Sequence, residues 1–326
     1  MLKTLLCEAM LTLVVNAESP LLISTGKPEK RRGERWVTTK LRSREESYIP
    51  ASSFKGVLRS HAERILRSFS SDFACNPLAQ ESNKTQGMRL SCSKRIEQLK
   101  EERGSISPAE VHRQICPSCR LFGCTGFAGR ILLDDIFPET RNQPLREAHI
   151  AVDRFTQGVA LGPFGRQPLD DLRFKVPITV VNFELWQLGL LALVVRDMNE
   201  GLVTIGSGGR HGHGEVKAKI EQAQLRYVKS RLAPRKSNRG WILVGISSLL
   251  PDEQAKAYGY TEEPPYEVPG GVEVQEQRNW VLFTLRDKDC HAFLRYCVRE
   301  SLSPRLKGEK QFVLKEGESH GKNTPT

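Results

Sequence analysis

The order of hydrophobic segments is the feature of this 326-residue chain that most restricts its fold. β-branched and leucine-rich runs predict strands, and apolar residues at helical spacing or in a run closed by Gly201 predict helices. The main segments are residues 11–24, 53–69, 130–136, 172–182, 183–199 and 215–228. With the loops set aside, they read strand, helix, strand, strand, helix, strand. This order predicts an α+β protein with a ferredoxin-like core, which is also the fold of RRM RNA-binding domains.

Two long insertions interrupt the predicted core. The first, about residues 70–125, is polar, irregular and contains cysteines, and the second, about residues 149–171, contains a glycine-rich hairpin. After Arg231 a basic linker leads into a region with two predicted strands and one predicted helix. We therefore expect an RRM-like domain over residues 1–231 and a C-terminal extension over residues 232–326, whose role the sequence leaves open.

The charge balance favours a polyanionic partner. The formal net charge is +11 at pH 7, an excess that points first to RNA or DNA, with a merely basic surface as the alternative. No run of 18 or more apolar residues predicts a membrane helix. Residues 1–16 carry Lys3 and Glu8 and lack a cleavage site, so they predict a first strand rather than a signal peptide. We expect a cytoplasmic protein with no membrane partner.

The cysteines are clustered: five of the eight lie between residues 75 and 124. Because no secretory signal is predicted, this clustering favours metal ligation in a reducing compartment over disulfides. Cys116 and Cys119 have the C-x-x-C spacing of a zinc site, which needs two more ligands. Four residues compete for those places: Cys75, Cys92, His112 and Cys124. Four free cysteines are the alternative.

Residues 48–59 lead a loop into the first predicted helix. Ser52 or Ser53 is expected to cap the helix, and Lys55 lies in its first turn. Hydroxyls, free backbone N–H groups, a lysine and the helix dipole together favour a bound phosphate. The alternative is a capped helix with an exposed lysine.

Two later segments are rich in glycine. Residues 149–158, followed by a second glycine-containing stretch up to residue 166, predict a strand that runs into a flexible hairpin. Residues 206–214 form a loop in which glycines let the backbone approach a phosphate chain, and Arg210 can bind one in bidentate fashion. His211 and His213, in the same loop, are expected to be solvated rather than ligands.

Taken in order, four motifs resemble signatures of the RAMP superfamily of CRISPR-associated proteins. They are Y-I-P-A-S-S-F-K-G-V-L-R from residue 48, C-P-S-C-R-L-F-G from residue 116, H-I-A-V-D-R-F-T-Q-G from residue 149, and the glycine-rich loop. Ala51 and Gln157 stand where the family usually has glycine, and Asn76 stands for its aspartate in A-C-N-P-L. The resemblance covers about residues 11–228 and is closest to backbone subunits of type III effector complexes, with the III-D branch as a finer interpretation.

The resemblance implies a subunit that binds guide CRISPR RNA, meets target RNA and packs against other RAMP subunits. In this family the second insertion is a thumb that pushes between bases of the guide–target duplex. The implied structural zinc ligands are Cys75, Cys92, Cys116 and Cys119, with Cys124 in reserve. Four thiolates would leave no open position for a catalytic water. The implied RNA-binding residues are Ser52, Ser53, Lys55, Arg59, Arg154, Phe155, Gly208, Gly209 and Arg210.

Cleaving members of the family use an aspartate, with a divalent metal, in the loop before the Y-I-P motif. Residues 25–47 contain no aspartate, and their acids are Glu29, Glu34, Glu45 and Glu46. This composition favours a subunit that does not cleave, with no assigned catalytic residue. The alternatives are a Mg²⁺-dependent target endoribonuclease that uses Glu34, a guide-processing endoribonuclease that uses His149 or His211, and a zinc-stabilised scaffold that contacts mainly other subunits.

Overall fold

A computed structural model of the chain describes residues 4–23, 29–31, 34–38, 47–79, 90–140, 145–229, 234, 236–237 and 240–312. The strands within these ranges are β1 (Cys7–Ala17), β2 (Glu29–Arg31), β3 (Glu34–Thr38), β4 (Gly123–Cys124), β5 (Phe127–Ala128), β6 (Ile131–Leu132), β7 (Glu147–Val152), β8 (Val159–Gln167), β9 (Arg173–Val181), β10 (Val216–Val228), β11 (Lys236–Ser237), β12 (Gly240–Leu243), β13 (Tyr266–Glu267), β14 (Glu273–Glu276) and β15 (Trp280–Arg286). The helices are α1 (Ala51–Phe69), α2 (Cys92–Arg103), α3 (Pro108–Gln114), α4 (Pro117–Phe122), α5 (Leu185–Asn199), α6 (Asp252–Tyr258), α7 (Asp287–Tyr296) and α8 (Ser303–Leu306).

A six-stranded antiparallel sheet forms the centre of the protein, in the order β14-β15-β10-β1-β9-β6. β1 lies between β10 and β9, so that Leu11 is opposite both Ala223 and Ile178. Alternate residues of β1, from Cys7 to Val15, are buried, as expected when one face of a sheet covers a core. The predicted α+β class with an antiparallel sheet is confirmed.

Two helices supply most of the helical side of the core. α1 buries one stripe, formed by Phe54, Leu58, Ala62 and Leu66 at four-residue intervals. α5 is buried around most of its circumference, because it packs against α1, α7 and β10. Among the described helices, none combines the length and apolar character needed to cross a membrane.

The second insertion forms a hairpin of β7 and β8, which we call the thumb. Its β8 arm pairs in parallel with β3, giving a four-stranded sheet of order β2-β3-β8-β7. The sequence predicted a flexible segment where β8 lies, because glycine-rich stretches have low strand propensity. Pairing with β7 on one side and β3 on the other overrides that propensity, so both arms of the thumb are strands.

The C-terminal extension folds onto the central sheet. β15 pairs with β10, and α7 packs against α5, β10 and β15. Residues 251–271, between the two strands predicted for this extension, contain the helix α6, which was not among the predicted elements. Its signals are present in the sequence: Pro251 precedes it, Asp252 and Glu253 occupy its first turn, and Gly259 ends it in the left-handed conformation, φ +69°.

Candidate metal centre and nucleic-acid interface

Four buried cysteines lie together, and we call Cys75, Cys92, Cys116 and Cys119 the cysteine cluster. Their sulfur atoms are all within 4.8 Å of one another, and those of Cys75 and Cys119 are 3.7 Å apart. A tetrahedral zinc with Zn–S bonds of about 2.3 Å places its sulfur ligands roughly 3.8 Å apart. The four residues implied by the motifs are thus brought to a spacing that could hold a metal ion such as zinc.

Main-chain amides point at the sulfur atoms of the cysteine cluster. The Cys75 N–H donates to the Cys116 sulfur at 3.4 Å, and the Cys116 N–H donates to the Cys92 sulfur at 3.2 Å. Cys92 is the first residue of α2, where Ser91 caps the helix, and Cys116 immediately precedes α4. Such donors stabilise negative charge on sulfur, so the backbone favours the thiolates that a metal requires.

Two arginines of α1 hold the cysteine cluster from the side of the core. The Arg59 guanidinium lies 3.6 Å from the Cys119 sulfur and donates to Glu63 at 2.8 Å, while Arg67 donates to the Cys75 carbonyl at 2.7 Å. Burial alone would lower the pKa of Arg59, but Glu63 and Cys119 raise it. The motif implied that Arg59 contacts guide phosphates. In this structure its guanidinium lies against the cysteine cluster instead.

Neither competing ligand, Cys124 or His112, belongs to the cysteine cluster. Cys124 packs against the cluster but is partly exposed and is not one of the four grouped residues. The His112 ring donates from Nδ1 to the Tyr258 carbonyl at 2.8 Å, and its Nε2 faces Arg130 at 3.3 Å. Burial, with the charges of Arg120 and Arg130, holds the pKa of His112 well below its usual value. This neutral ring is therefore part of a buried hydrogen-bond network rather than a metal ligand.

The start of α1 differs from the predicted phosphate site. The helix begins at Ala51, earlier than predicted, and no side chain caps it, so neither Ser52 nor Ser53 is the cap; both are exposed. The Ala51 N–H instead donates to the Asp135 carboxylate at 2.9 Å, and Lys55 donates to the main chain of β6 at 3.2 Å. Burial lowers the pKa of Lys55, with Arg59 adding to the effect. A carboxylate of the protein thus occupies the helix end where an external phosphate was expected.

The tip of the thumb is an ordered turn that exposes an aromatic ring. Asp153 accepts hydrogen bonds from the backbone N–H groups of Phe155 and Thr156, at 2.9 and 2.7 Å. These bonds, with that from the Thr156 hydroxyl, hold the pKa of Asp153 below its usual value. Gln157 has φ +53°, the left-handed conformation that the family's glycine adopts easily. The Phe155 side chain is 94% exposed, and Arg154 beside it is also exposed.

The arms of the thumb also expose apolar side chains. Ile150 and Val152 on β7, and Val159 and Leu161 on β8, are each more than half exposed. Isolated exposed apolar residues are ordinary, but five on one hairpin, counting Phe155, form a patch of the kind that marks a binding surface.

The glycine-rich loop folds tightly beside the thumb. Gly208 is left-handed at φ +88°, and a Cβ there would lie 2.7 Å from Nδ1 of His213. Gly209, Arg210 and His211 form a 3₁₀ turn on the exposed side of the loop. His213 was expected to be solvated, but it is buried because the loop folds back over it.

A carboxylate joins the thumb to the glycine-rich loop. Glu147, at the base of β7, accepts hydrogen bonds from Nε2 of His213 at 3.0 Å and from Nε2 of His149 at 3.2 Å. Burial alone would raise the pKa of Glu147, but these two histidines lower it. The ring centroids of His149 and His211 are 6.3 Å apart. We call Glu147, His149, His211 and His213 the histidine cluster.

Sequence reasoning missed two carboxylates that shape these sites, Asp135 and Glu147. Asp135 follows Asp134, and one leucine separates this pair from the short strand β6; an adjacent pair of acids near a strand end was the available signal. Glu147 lies two residues before His149, on the same face of the strand, a spacing that predicts a side-by-side pair.

Comparison with known families connects these features. The family model of the RAMP superfamily matches residues 14–217, well over half of the chain. The protein belongs to the RAMP superfamily. Membership indicates a CRISPR-associated, RNA-binding role, and RAMP proteins generally act in multi-subunit complexes. No curated protein matches this RAMP protein.

The matched residues of this RAMP protein run from β1 to the first residues of β10. They include the cysteine cluster, the thumb and the glycine-rich loop. The C-terminal strands and helices, including β15 and α7, lie outside the match.

Proposed function

We propose that this RAMP protein is a guide-RNA-binding backbone subunit of a type III CRISPR effector complex and helps to shape the guide–target duplex. The observation that carries the proposal is the connection, through Glu147 and His213, between the glycine-rich loop and the base of the thumb, whose tip exposes Phe155. Stacking of one base on an aromatic side chain contributes about 1–3 kcal/mol, and an arginine at a glycine turn contacts phosphate without a steric barrier. Phe155 and Arg210 offer these two contacts from the joined thumb and loop.

The fold supports this assignment. Within the central sheet the order β10-β1-β9-β6, with α1 between β1 and β6 and α5 between β9 and β10, is that expected of a ferredoxin-like β-α-β-β-α-β core. The cysteine-containing insertion then follows the first core helix, and the thumb separates the second and third core strands. We assign the III-D branch on the motif resemblance alone.

We also propose that the cysteine cluster holds one structural zinc. Four thiolates would complete a tetrahedral coordination sphere, so the metal would hold the insertion together and leave no position for an activated water. Arg59 would offset part of the negative charge of the zinc–thiolate centre, since its guanidinium lies beside Cys119.

Removal of the exposed cations beside the thumb tip and in the loop should weaken RNA binding. For the double variant Arg154→Ala/Arg210→Ala, we expect lower affinity for every single-stranded RNA sequence. The dependence of log affinity on log salt should flatten by about 0.7 for each lost phosphate contact. Fluorescence anisotropy over a series of salt concentrations measures the affinity and its salt dependence. Lys256→Ala, on the exposed side of α6, is the control and should change neither the affinity nor the salt slope. An unchanged salt slope in the double variant would show that these residues do not contact phosphate.

The histidine cluster favours one alternative function, a metal-independent endoribonuclease that processes guide RNA. Neighbouring imidazoles can act as general acid and base, and Glu147 orients two of them. The other alternative, metal-dependent cleavage of target RNA by Glu34, concerns a side chain outside the described residues, although β3 begins at that position.

Cleavage assays separate the three functions. We expect labelled target and repeat RNAs to stay intact with the protein in Mg²⁺ and in EDTA, because among the described residues the cysteine cluster is the one group found that could hold a metal ion. Cuts in the repeat that persist in EDTA and vanish in His149→Ala would establish guide processing. Mg²⁺-dependent cuts in the target, produced by the assembled complex and lost in Glu34→Ala, would establish target cleavage.

A further inference from the structure

A groove of about 650 Å³ opens between α5, β10 and α7. Its walls are aliphatic, with Leu193 from α5, Ile220 from β10 and Val298 just after α7 among them. None of its lining residues is aromatic apart from a histidine, and none is acidic. The groove therefore combines the size and apolar walls of a binding site with no surface on which nucleobases would stack.

Basic side chains on the exposed part of the lining define what we call the mouth of the groove. They are Arg196, Lys217, Lys219 and Arg295, with His291 beside them. Lys219 forms a salt bridge with the exposed Asp287 at 3.5 Å, and Arg196 donates to its neighbour Asp197, but Arg295 is exposed with no ion-pair partner among the described residues. A ligand with apolar side chains would pack against the aliphatic walls, and carboxylates at its edge would pair with the basic side chains at the mouth.

The groove lies beside a part of β10 that has no strand on one side. β15 pairs only with residues 222–228 of β10, whereas β1, on the other side of β10, pairs with it as far as Val216. The Asn199 side chain accepts a hydrogen bond from the backbone N–H of Ala218 and donates one to its carbonyl, both at 2.8 Å. Because Asn199 occupies this part of the edge, an occupant would bind through side chains between two helices rather than by adding a strand.

We propose that this groove binds an acidic, amphipathic segment of a partner protein, with its apolar side chains between α5 and α7 and its carboxylates on the cationic mouth. The proposal is independent of RNA binding, because it uses none of the residues of the thumb or the glycine-rich loop. Much of the groove, including Lys219, Ile220 and the residues of α7, lies beyond the family match. The partner surface is therefore formed jointly by α5, from the matched region, and by α7, from outside it.

Labelled peptides test the proposal directly. The probe is a peptide of alternating glutamate pairs and leucines; two matched peptides replace the glutamates by lysines or the leucines by serines. We expect the first to bind the full chain, and each of the others to bind at least about tenfold more weakly, which is the ratio that about 1.4 kcal/mol gives. Equal binding of the lysine peptide, or no binding of the glutamate–leucine peptide, would overturn the proposal.

A pair of charge-reversal variants locates the binding. Lys219→Glu/Arg295→Glu should weaken the glutamate–leucine peptide by at least about tenfold. Lys288→Glu/Arg299→Glu makes the same change in net charge on exposed positions outside the groove and should leave the affinity within about twofold of wild type. Both variants should bind a uridine dodecamer equally well. Equal peptide affinity in the two variants, or a specific loss of RNA binding in Lys219→Glu/Arg295→Glu, would show that the groove is not a protein-binding site.

Discussion

Replacement of Cys116 by serine is expected to release one equivalent of zinc and to unfold the cysteine-containing insertion. The Cys116 sulfur accepts a hydrogen bond from the Cys75 N–H. The cysteine cluster makes up half of the insertion's own core, with Ile96, Val111 and Phe127 among the other buried residues. So small a core has little apolar area to stabilise it. Structural zinc sites in small domains have apparent binding free energies of about 10–16 kcal/mol near neutral pH, which makes the metal the main source of local stability.

Elemental analysis of protein purified without added metal measures the zinc content, and thermal unfolding measures the loss of stability. Wild type should contain about one zinc per chain and should lose stability in a strong chelator. Cys124→Ser is the matched control, because Cys124 is partly exposed and lies outside the cluster, and it should keep its zinc. Well-folded Cys116→Ser protein with unchanged unfolding temperature would show that the cluster is not a structural metal site.

Replacement of Glu263 by alanine is expected to destabilise the whole fold by about 3–5 kcal/mol. This carboxylate comes from the C-terminal extension and is fully buried at the start of α5. It accepts the N–H groups of Leu185 at 2.7 Å and Trp186 at 3.0 Å, and it lies 3.7 Å from Arg305. The variant would leave a buried arginine without its counter-ion and two helix N–H groups without an acceptor.

Chemical denaturation of the full chain tests this expectation. The control is Glu273→Ala, which removes a carboxylate that pairs with Arg286 at 2.8 Å on the surface. Both partners are well exposed and screened by water, so the loss of stability should be much smaller than for Glu263→Ala. If the two substitutions reduce the stability equally, Glu263 does not hold the C-terminal extension against α5.

The sequence predicted the elements whose periodicity is set by one buried face. α1, β9 and β10 show that pattern and lie within two residues of their predicted bounds. β1 shows it too, but the strand covers Cys7–Ala17 instead of the predicted residues 11–24. The C-x-x-C spacing predicted Cys116 and Cys119 as a pair of ligands, and the family resemblance implied Cys75 and Cys92 as the other two. The structure brings these four residues together.

The direction of individual side chains could not be predicted in the same way. Lys55 and Arg59 lie in a phosphate-binding motif, but tertiary contacts with β6 and Cys119 decide where their charged groups point. The burial of His213 depends on Glu147, which is 66 residues away in the sequence. Pairing across such distances is a property of the folded chain, and one-dimensional spacing carries no signal for it.

Ultraviolet crosslinking of the chain to a single-stranded RNA, with the crosslinked peptides mapped by mass spectrometry, tests the central claim most directly. The structure places an exposed aromatic ring at the thumb tip and an exposed glycine-rich loop beside the thumb base. We predict crosslinks at Phe155 and within residues 206–214, and their reduction in Arg154→Ala/Arg210→Ala. Crosslinks confined to the groove between α5 and α7, or to the surface around α6, would contradict an RNA path along the thumb and the glycine-rich loop.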